Sequence, residues 1–360
     1  MDGGLLINKK GNADSLQMSV LEDDSLYLNP KAINLHVSMP CPLKVPFKNM
    51  FAPFVEEYNN KHKDFPMHCP DITDCGSADI GTMLETAMSE DDLPDIIITT
   101  NYSILFSDKF YNRFLKTGVY KGLIKDSYLK LLPESITNDL LKSNLGLLCF
   151  SSWSIVQDLT VEGMPQDIDS WKYILSSEAE GKLTVHGHLD KASFGIVYFL
   201  KKNFGDEAVA QFANNIADIK HFSQVIKRMS SSNPNRTALS FLPDVAVSKI
   251  PSNKKVKILN LKEGKVANPM VLIVKVSKED KVKEIIDKFW SPEFTAMLHN
   301  GGCIMPDELR EDVNYFVPDF PYIAEDFENL EKTLNDKYMD HLQIDKIKEK
   351  ETLGGVCGVH

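Results

Sequence analysis

Between Cys75 and Tyr102 the chain passes from a Gly-Ser turn, through an amphipathic segment, into an unbroken run of β-branched residues. Few folds can use that order. Ser77–Ser89 places Ile80, Met83, Leu84 and Ala87 on one helical face. Leu93-Pro94 ends that element. Asp95-Ile96-Ile97-Ile98-Thr99-Thr100 then reads as a strand covered on both faces, as strands of a parallel sheet are. It closes on Thr99, Thr100, Asn101 and Tyr102. Open α/β sheets bind ligands beyond the carboxyl ends of their strands. The segment therefore points to a binder of small solutes.

The flanking sequence extends the pattern. Ala32–Val37 alternates as a strand does and stops at Pro40 and Pro42, which cannot continue a ladder. Phe47, Met50, Phe51, Phe54, Val55 and Tyr58 follow helical spacing, with Pro53 predicting a kink or a later start. A second strand is expected near Phe65–Ile72. The first third thus reads β-α-β-α-β, an open sheet with helices on its faces.

Further strands are expected at Leu145–Phe150, Lys182–Gly187, Ala238–Leu242, Val256–Leu261 and Met270–Val276. Helices are expected over Ser193–Asn203, continuously from Glu207 to Met229, around Val282–Trp290, from Ser291-Pro292 to Gly301-Gly302, and over 324–350. Residues 1–31 read as a mobile leader and 346–360 as a disordered tail. Cys357 and His360 in that tail make half a metal site at most.

A chain of 360 residues, 43% of them hydrophobic, is too long for one ordinary domain and long enough for two. The net charge of −11 argues against nucleic acid. No segment approaches the about 18 apolar residues of a membrane helix, so no membrane insertion is expected. Met1-Asp2-Gly3-Gly4-Leu5-Leu6 lacks the basic start and apolar run of a signal peptide. The expected location is cytoplasmic as the sequence stands, or extracytoplasmic if an export signal has been removed. Six cysteines, widely spaced and without a CxxC pair, read as free thiols in a reducing compartment.

The order of these elements resembles the type II periplasmic-binding-protein fold, and within it the ABC-transporter solute-binding proteins for oxyanions and metals. The residues that carry the likeness are Gly76-Ser77 with Leu93–Ile98, Ser170–Leu175 with Gly181–Val185, Asn268–Lys275, and Ser291-Pro292-Glu293-Phe294 with Gly301. It covers about residues 32–320. The resemblance implies two open-sheet α/β lobes joined by crossing hinge strands and closing on a ligand. Lobe 1 would hold 32–150 and 251–345, and lobe 2 would hold 151–250. It also implies a small-molecule or ion ligand, an ABC permease as partner, and a monomer. The paired tyrosines of iron binders and the lipid-anchor cysteine are missing, and Asn233–Thr237 replaces a Gly-rich turn.

Candidate ligand contacts follow. Ser77 at a helix start can offer its hydroxyl and free backbone N–H groups to an anion, or serve as a plain cap. Thr99, Thr100, Asn101 and Tyr102 end a buried strand, where they are ligand groups or turn formers. Ser38, Met39, Cys41 and Lys44 follow the first strand; Lys44 could neutralise an anion, and Cys41 could be a soft metal ligand, a nucleophile or an inert thiol. Ser152 and Trp153, with Ser151, fall where the chain would cross between lobes, and the indole could stack on a flat ligand or pack the hinge. His186 and His188 lie two apart at a strand end, which suits a metal if the strand persists. Asp190 and Ser193 stand beside them. Arg236 could clamp a carboxylate or phosphate, or sit in a surface loop.

The leading function is a solute-binding protein that encloses an oxyanion, a metal complex or a small organic acid, without catalysis. Two alternatives stand. One is a cytoplasmic carrier or sensor of a metal or metal-containing cofactor through His186 and His188. The other, implied by thiaminase-like enzymes of the same fold, is a cysteine enzyme using Cys41 or Cys149 with Asp95 or Asp190 as base.

Overall fold

The computed structural model describes residues 28–70, 80–186, 194–233, 236–309 and 314–339. Strand β1 (Ile33–Ser38) buries Ile33, Leu35 and Val37. Helix α1 (Cys41–Lys61) follows at once, so Cys41 and Lys44 are helical rather than part of a loop. The helix is continuous through Pro46 and Pro53, so it does not start later than its periodicity suggests. An aromatic stripe holds it: Phe47 and Phe51 stack at 4.8 Å, and Phe51 lies 5.1 Å from Phe289. That packing outweighs the lost backbone bonds.

Strand β2 is only Met67–His68, and helix α2 is Ile80–Thr86. Strand β3 (Ile96–Thr99) is fully buried, as its composition requires. Strand β4 (Tyr120–Gly122) and helix α3 (Glu134–Lys142) lead to β5 (Cys149–Asp158), ten residues that are all buried. The expected strand ended at Phe150; Ser151–Ser154 continue it because a carboxylate elsewhere takes two of their hydroxyls, as described below. Strand β6 is Leu183–His186. Helices α4 (Phe194–Phe204) and α5 (Asp206–Asn214) precede β7 (Ile216–Lys220), and α6 (Phe222–Arg228) follows it. The helical patterns expected from Glu207 to Met229 are therefore two helices around a strand.

Strand β8 (Leu239–Pro243), helix α7 (Asp244–Val247), strand β9 (Val256–Ile258) and the long β10 (Lys265–Lys275) come next. Helices α8 (Glu279–Phe289) and α9 (Pro292–Asn300) follow, the latter capped by Ser291 and ended at Gly301-Gly302, with Gly302 at φ 92°. A short β11 (Tyr315–Phe316) and helix α10 (Phe320–Thr333) follow, and a π-helical turn, Leu334–Met339, ends the described chain.

Eight strands form one path, β2-β1-β3-β10-β5-β8-β6-β7, with β4 and β11 paired to β10 and β9 to β5 off it. β1 and β3 are parallel, with Ser38 beside Thr99. β10 joins β3 antiparallel through Val271–Val274 and joins β5 through Ala267–Met270. β5 then leaves β10, and its Trp153–Gln157 pair with β8. β6 lies between β8 and β7, parallel to both. Two α/β sheet halves are thus joined where β5 and β10 run side by side. The first half has cores on both sheet faces, one under α1 and α8, the other under α10. The second packs Trp153, Trp171, Phe199, Phe212 and Phe241 together. α10 touches the first half through Phe320 on Phe106 (6.2 Å), and its Phe327 stacks on Phe194 of α4 (5.6 Å). Among the described residues no helix is long and apolar enough to cross a membrane.

A buried ion pair joins the start of β3 to the end of β10. Lys275 Nζ lies 3.1 Å from Asp95 Oδ1, both side chains about fully enclosed, and Asp95 also accepts the Asn34 N–H at 2.8 Å.

Candidate functional site

The register of β1 and β3 sets one rim. Ser38 and Thr99 are side by side at the carboxyl ends of their strands. Thr99 is buried and its Oγ1 accepts the Asn101 N–H at 2.9 Å; Asn101 Oδ1 accepts the Ser103 hydroxyl at 2.9 Å. These side chains thereby build the turn themselves. Thr100 and Ser38 are half-buried beside it. Met39 and Lys44 are buried in the following turns, and Cys41 is half-buried. The Tyr102 ring meets Phe320 and Phe194 edge-on at 5.7 and 6.4 Å. Its hydroxyl is enclosed without a hydrogen-bond partner among the described residues, and burial raises its pKa.

The second rim is the carboxyl edge of β6 and β7. His186 ends β6 in register with Lys220, which ends β7. Its ring stacks on Trp153 at 6.2 Å, and Trp153 stacks on Phe241 at 4.9 Å. His221 and Phe222 follow β7, each 5.6 Å edge-on from His186. His221 also caps α6, its Nδ1 accepting the Ser223 N–H at 3.4 Å. Two imidazoles, an indole and a phenyl ring so converge at one strand edge. The sequence reading found His186 and Trp153 and missed His221 and Phe222, because β7 was hidden in an expected helix. Ser77, His188, Asp190 and Ser193 lie outside the described residues.

The rims meet where the strands cross. Tyr102 follows β3 and Phe194 opens α4, the helix after β6. A Cβ on Gly195 would lie 2.3 Å from Asn268 Oδ1 of β10, so α4 comes this close without displacing the Asn268 amide because residue 195 is glycine. Below that contact, Asp244 at the start of α7 accepts hydrogen bonds from Ser152 and, at 2.5 Å, from Ser154 of β5. Lys265 of β10 reaches the same carboxylate at 3.2 Å. One acidic group so ties β5, β10 and the end of β8. Ser152 was expected among the ligand contacts; its hydroxyl is engaged here.

Other candidates have structural partners. Arg236 donates to the Ser231 and Thr160 carbonyls at 2.5 and 3.0 Å. Lys220 and Arg228 lie 3.3 and 2.8 Å from Asp218. Cys149 is fully buried and its thiol is pushed well above the usual range by burial, then by Cys303 beside it, which disfavours the thiolate a nucleophile needs. Asp95 is committed to Lys275. Cys149 with Asp95 is therefore not a nucleophile–base pair. Among the described residues no group of three or more His, Cys, Asp or Glu could hold a metal ion. Among the described residues His186 and His221 make a pair.

Two sheet halves joined by adjacent antiparallel strands, with polar and aromatic rims at facing strand ends, define a type II periplasmic-binding-protein fold. Residues 91–333, more than half of the chain, match the family described as bacterial extracellular solute-binding protein, and the chain belongs to that family. Solved structures agree on the fold. An ABC transporter from Clostridium perfringens is 15% identical with a TM-score of 0.57, over 85% of this chain and 99% of that one. Apo ferric ion-binding protein A from Pasteurella haemolytica is 12% identical with a TM-score of 0.57, over 85% and 97%. A Trichodesmium protein in complex with iron and citrate is 12% identical with a TM-score of 0.56, over 84% and 98%. No curated protein sequence matches the chain.

Proposed function

We propose that the protein binds a small solute between two lobes, without catalysis, and delivers it to an ABC permease outside the cytoplasm. The observation that carries the reading is the convergence of Trp153, His186, His221 and Phe222 on one strand edge, across the crossing strands from the Ser38–Thr99 edge. Aromatic faces and imidazoles suit an oxyanion, a metal complex or a small organic acid. Lobe 1 is residues 32–150 with the chain after the return crossing; lobe 2 lies between. Pairing of β9 with β5 favours a return at β10 rather than at residue 251. One neighbour is named a ferric ion-binding protein and another is in complex with iron and citrate, which makes metal complexes a first choice for testing.

The test is a thermal-shift panel of ferric citrate, phosphate, sulfate, molybdate and citrate. One of these is expected to raise Tm, and Trp153→Ala or His221→Ala to remove the rise. A rise that persists in both variants would contradict this placement of the site.

A further inference from the structure

The two halves share a third connection besides β5 and β10. Helix α10 starts on the first half. Asp319 caps it, its carboxylate accepting the Tyr322 N–H at 3.0 Å, and Phe320 and Ile323 are buried in the core that holds Phe106. The π-helical turn that continues α10 ends in the second half. Leu334 and Tyr338 are buried there, with the Tyr338 ring stacked on Phe212 of α5 at 6.4 Å and Lys337 Nζ 3.1 Å from Glu207. The chain after the return crossing thus reaches back into the core of lobe 2. Between its two anchors α10 packs against α4. Phe327 stacks on Phe194 at 5.6 Å, Lys202 Nζ sits 4.2 Å over the Tyr322 ring, and Lys201 Nζ donates to Thr333 Oγ1 at 2.9 Å.

Two features mark this seam as separable. The helix is broken inside it: Asp326 has φ −116° and ψ 16°, outside helical values, and its carboxylate accepts the Tyr322 hydroxyl at 3.0 Å and the Asn329 amide at 3.2 Å. A kink held by its own side-chain bonds is a place where a helix bends while its two ends stay wound. Polar atoms are also shut in along the seam. The Tyr102 ring meets Phe320 of α10 and Phe194 of α4 edge-on, and Asn268 Oδ1 lies against Gly195 at the start of α4. Neither the Tyr102 hydroxyl nor Asn268 Oδ1 has a hydrogen-bond partner among the described residues. Closing the seam leaves both dry and unpaired, which opposes the aromatic contacts, and parting it lets water reach them.

We propose that α10 and its turn form a strap between the lobes: anchored at both ends and bending at Asp326, it seats on α4 when the lobes close and parts from α4 when they open. The inference rests on the two-lobe reading of the function. Two crossing strands alone leave the halves free to hinge. The strap limits that opening, and its seam with α4 favours the closed arrangement before any solute arrives. Breaking the seam shifts the population toward open chains.

Small-angle X-ray scattering of the full chain without solute reads the opening. Phe327→Ala and, separately, Lys202→Glu are expected to enlarge the radius of gyration with circular dichroism unchanged. Lys202 is exposed, so its variant leaves the cores intact, and its enlargement is expected to shrink in high salt. Phe327→Leu, which keeps an apolar contact, is expected to stay near the parent. An unchanged radius in Lys202→Glu, or in folded Phe327→Ala, would overturn the proposal. So would an equal enlargement in Phe54→Ala, which trims an aromatic contact wholly inside the first half. Because no solute is present, a chain that binds none of the probes would still show the enlargement, whereas a chain that binds one and shows no enlargement would sink the strap alone.

Discussion

Replacing Asp244 by Ala tests how the crossing strands are held. The carboxylate accepts from Ser152 and Ser154, which are 0% and 2% exposed, and from the Lys265 ammonium. Removing it leaves two enclosed hydroxyls without their acceptor, at a cost of about 1–3 kcal/mol each before they turn to nearby carbonyls. Lys265 keeps a quarter of its side chain in solvent and rehydrates, adding less than about 1 kcal/mol. The expected loss is about 3 kcal/mol. Asp244→Asn retains one acceptor oxygen and is expected to lose about half as much. Urea unfolding read by tryptophan fluorescence gives both values, with an unchanged m showing that the denatured state is not what moved. The triple variant with Ser152→Ala and Ser154→Ala is expected to be little worse than Asp244→Ala alone, since residues of one network do not add. A loss below about 1 kcal/mol, or strict additivity, would refute the reasoning.

Three further outcomes are expected. Asp95→Ala strands the Lys275 ammonium in the sheet and should cost about 3–5 kcal/mol, whereas Asp95→Leu with Lys275→Met should recover much of it; equal losses in denaturant melts would contradict the buried pair. His36 is held neutral by burial, its pKa lowered to about 4, so the unfolded chain binds the proton first. Stability is therefore present above the unfolded pKa of about 6.5 and falls toward the folded one, by about 2 kcal/mol between pH 7 and 5. His36→Phe should flatten that slope by the same amount in paired melts; an unchanged slope would contradict the assignment. Trp153→Ala removes the ring stacked between Phe241 and His186 and should cost about 3–5 kcal/mol by calorimetry, a value under about 1 kcal/mol meaning the ring is not packed as described.

Strands whose burial is written in their own residues were legible. Ile96-Ile97-Ile98 could be nothing but a covered strand, and β10 follows the same logic in Met270–Val274. β7 was not legible. Ile216-Ala217-Asp218-Ile219-Lys220 continues the helical spacing of α5, and what stops the helix is Asn215, whose amide donates to the Ile174 and Ser176 carbonyls at 2.8 and 2.9 Å. Those acceptors lie about forty residues upstream, so no local window contains the reason. His221 and Phe222 were lost with that strand. β5 failed in the same way: four residues from Ser151 to Ser154 look like a polar loop until Asp244 is placed beneath them. The α1 prolines err in the opposite direction, because an aromatic stripe keeps helical a segment that local rules would break.

Solute binding at the facing strand edges is the central claim, and native mass spectrometry tests it most directly. The full chain is mixed with ferric citrate, phosphate, sulfate, molybdate and citrate, then sprayed from a non-denaturing buffer. One probe is expected to remain bound at one copy per chain, to vanish in the folded His221→Ala variant, and to survive Cys149→Ala. A complex unchanged by His221→Ala, or lost equally in Cys149→Ala with both variants folded, would contradict a site at the β6–β7 edge.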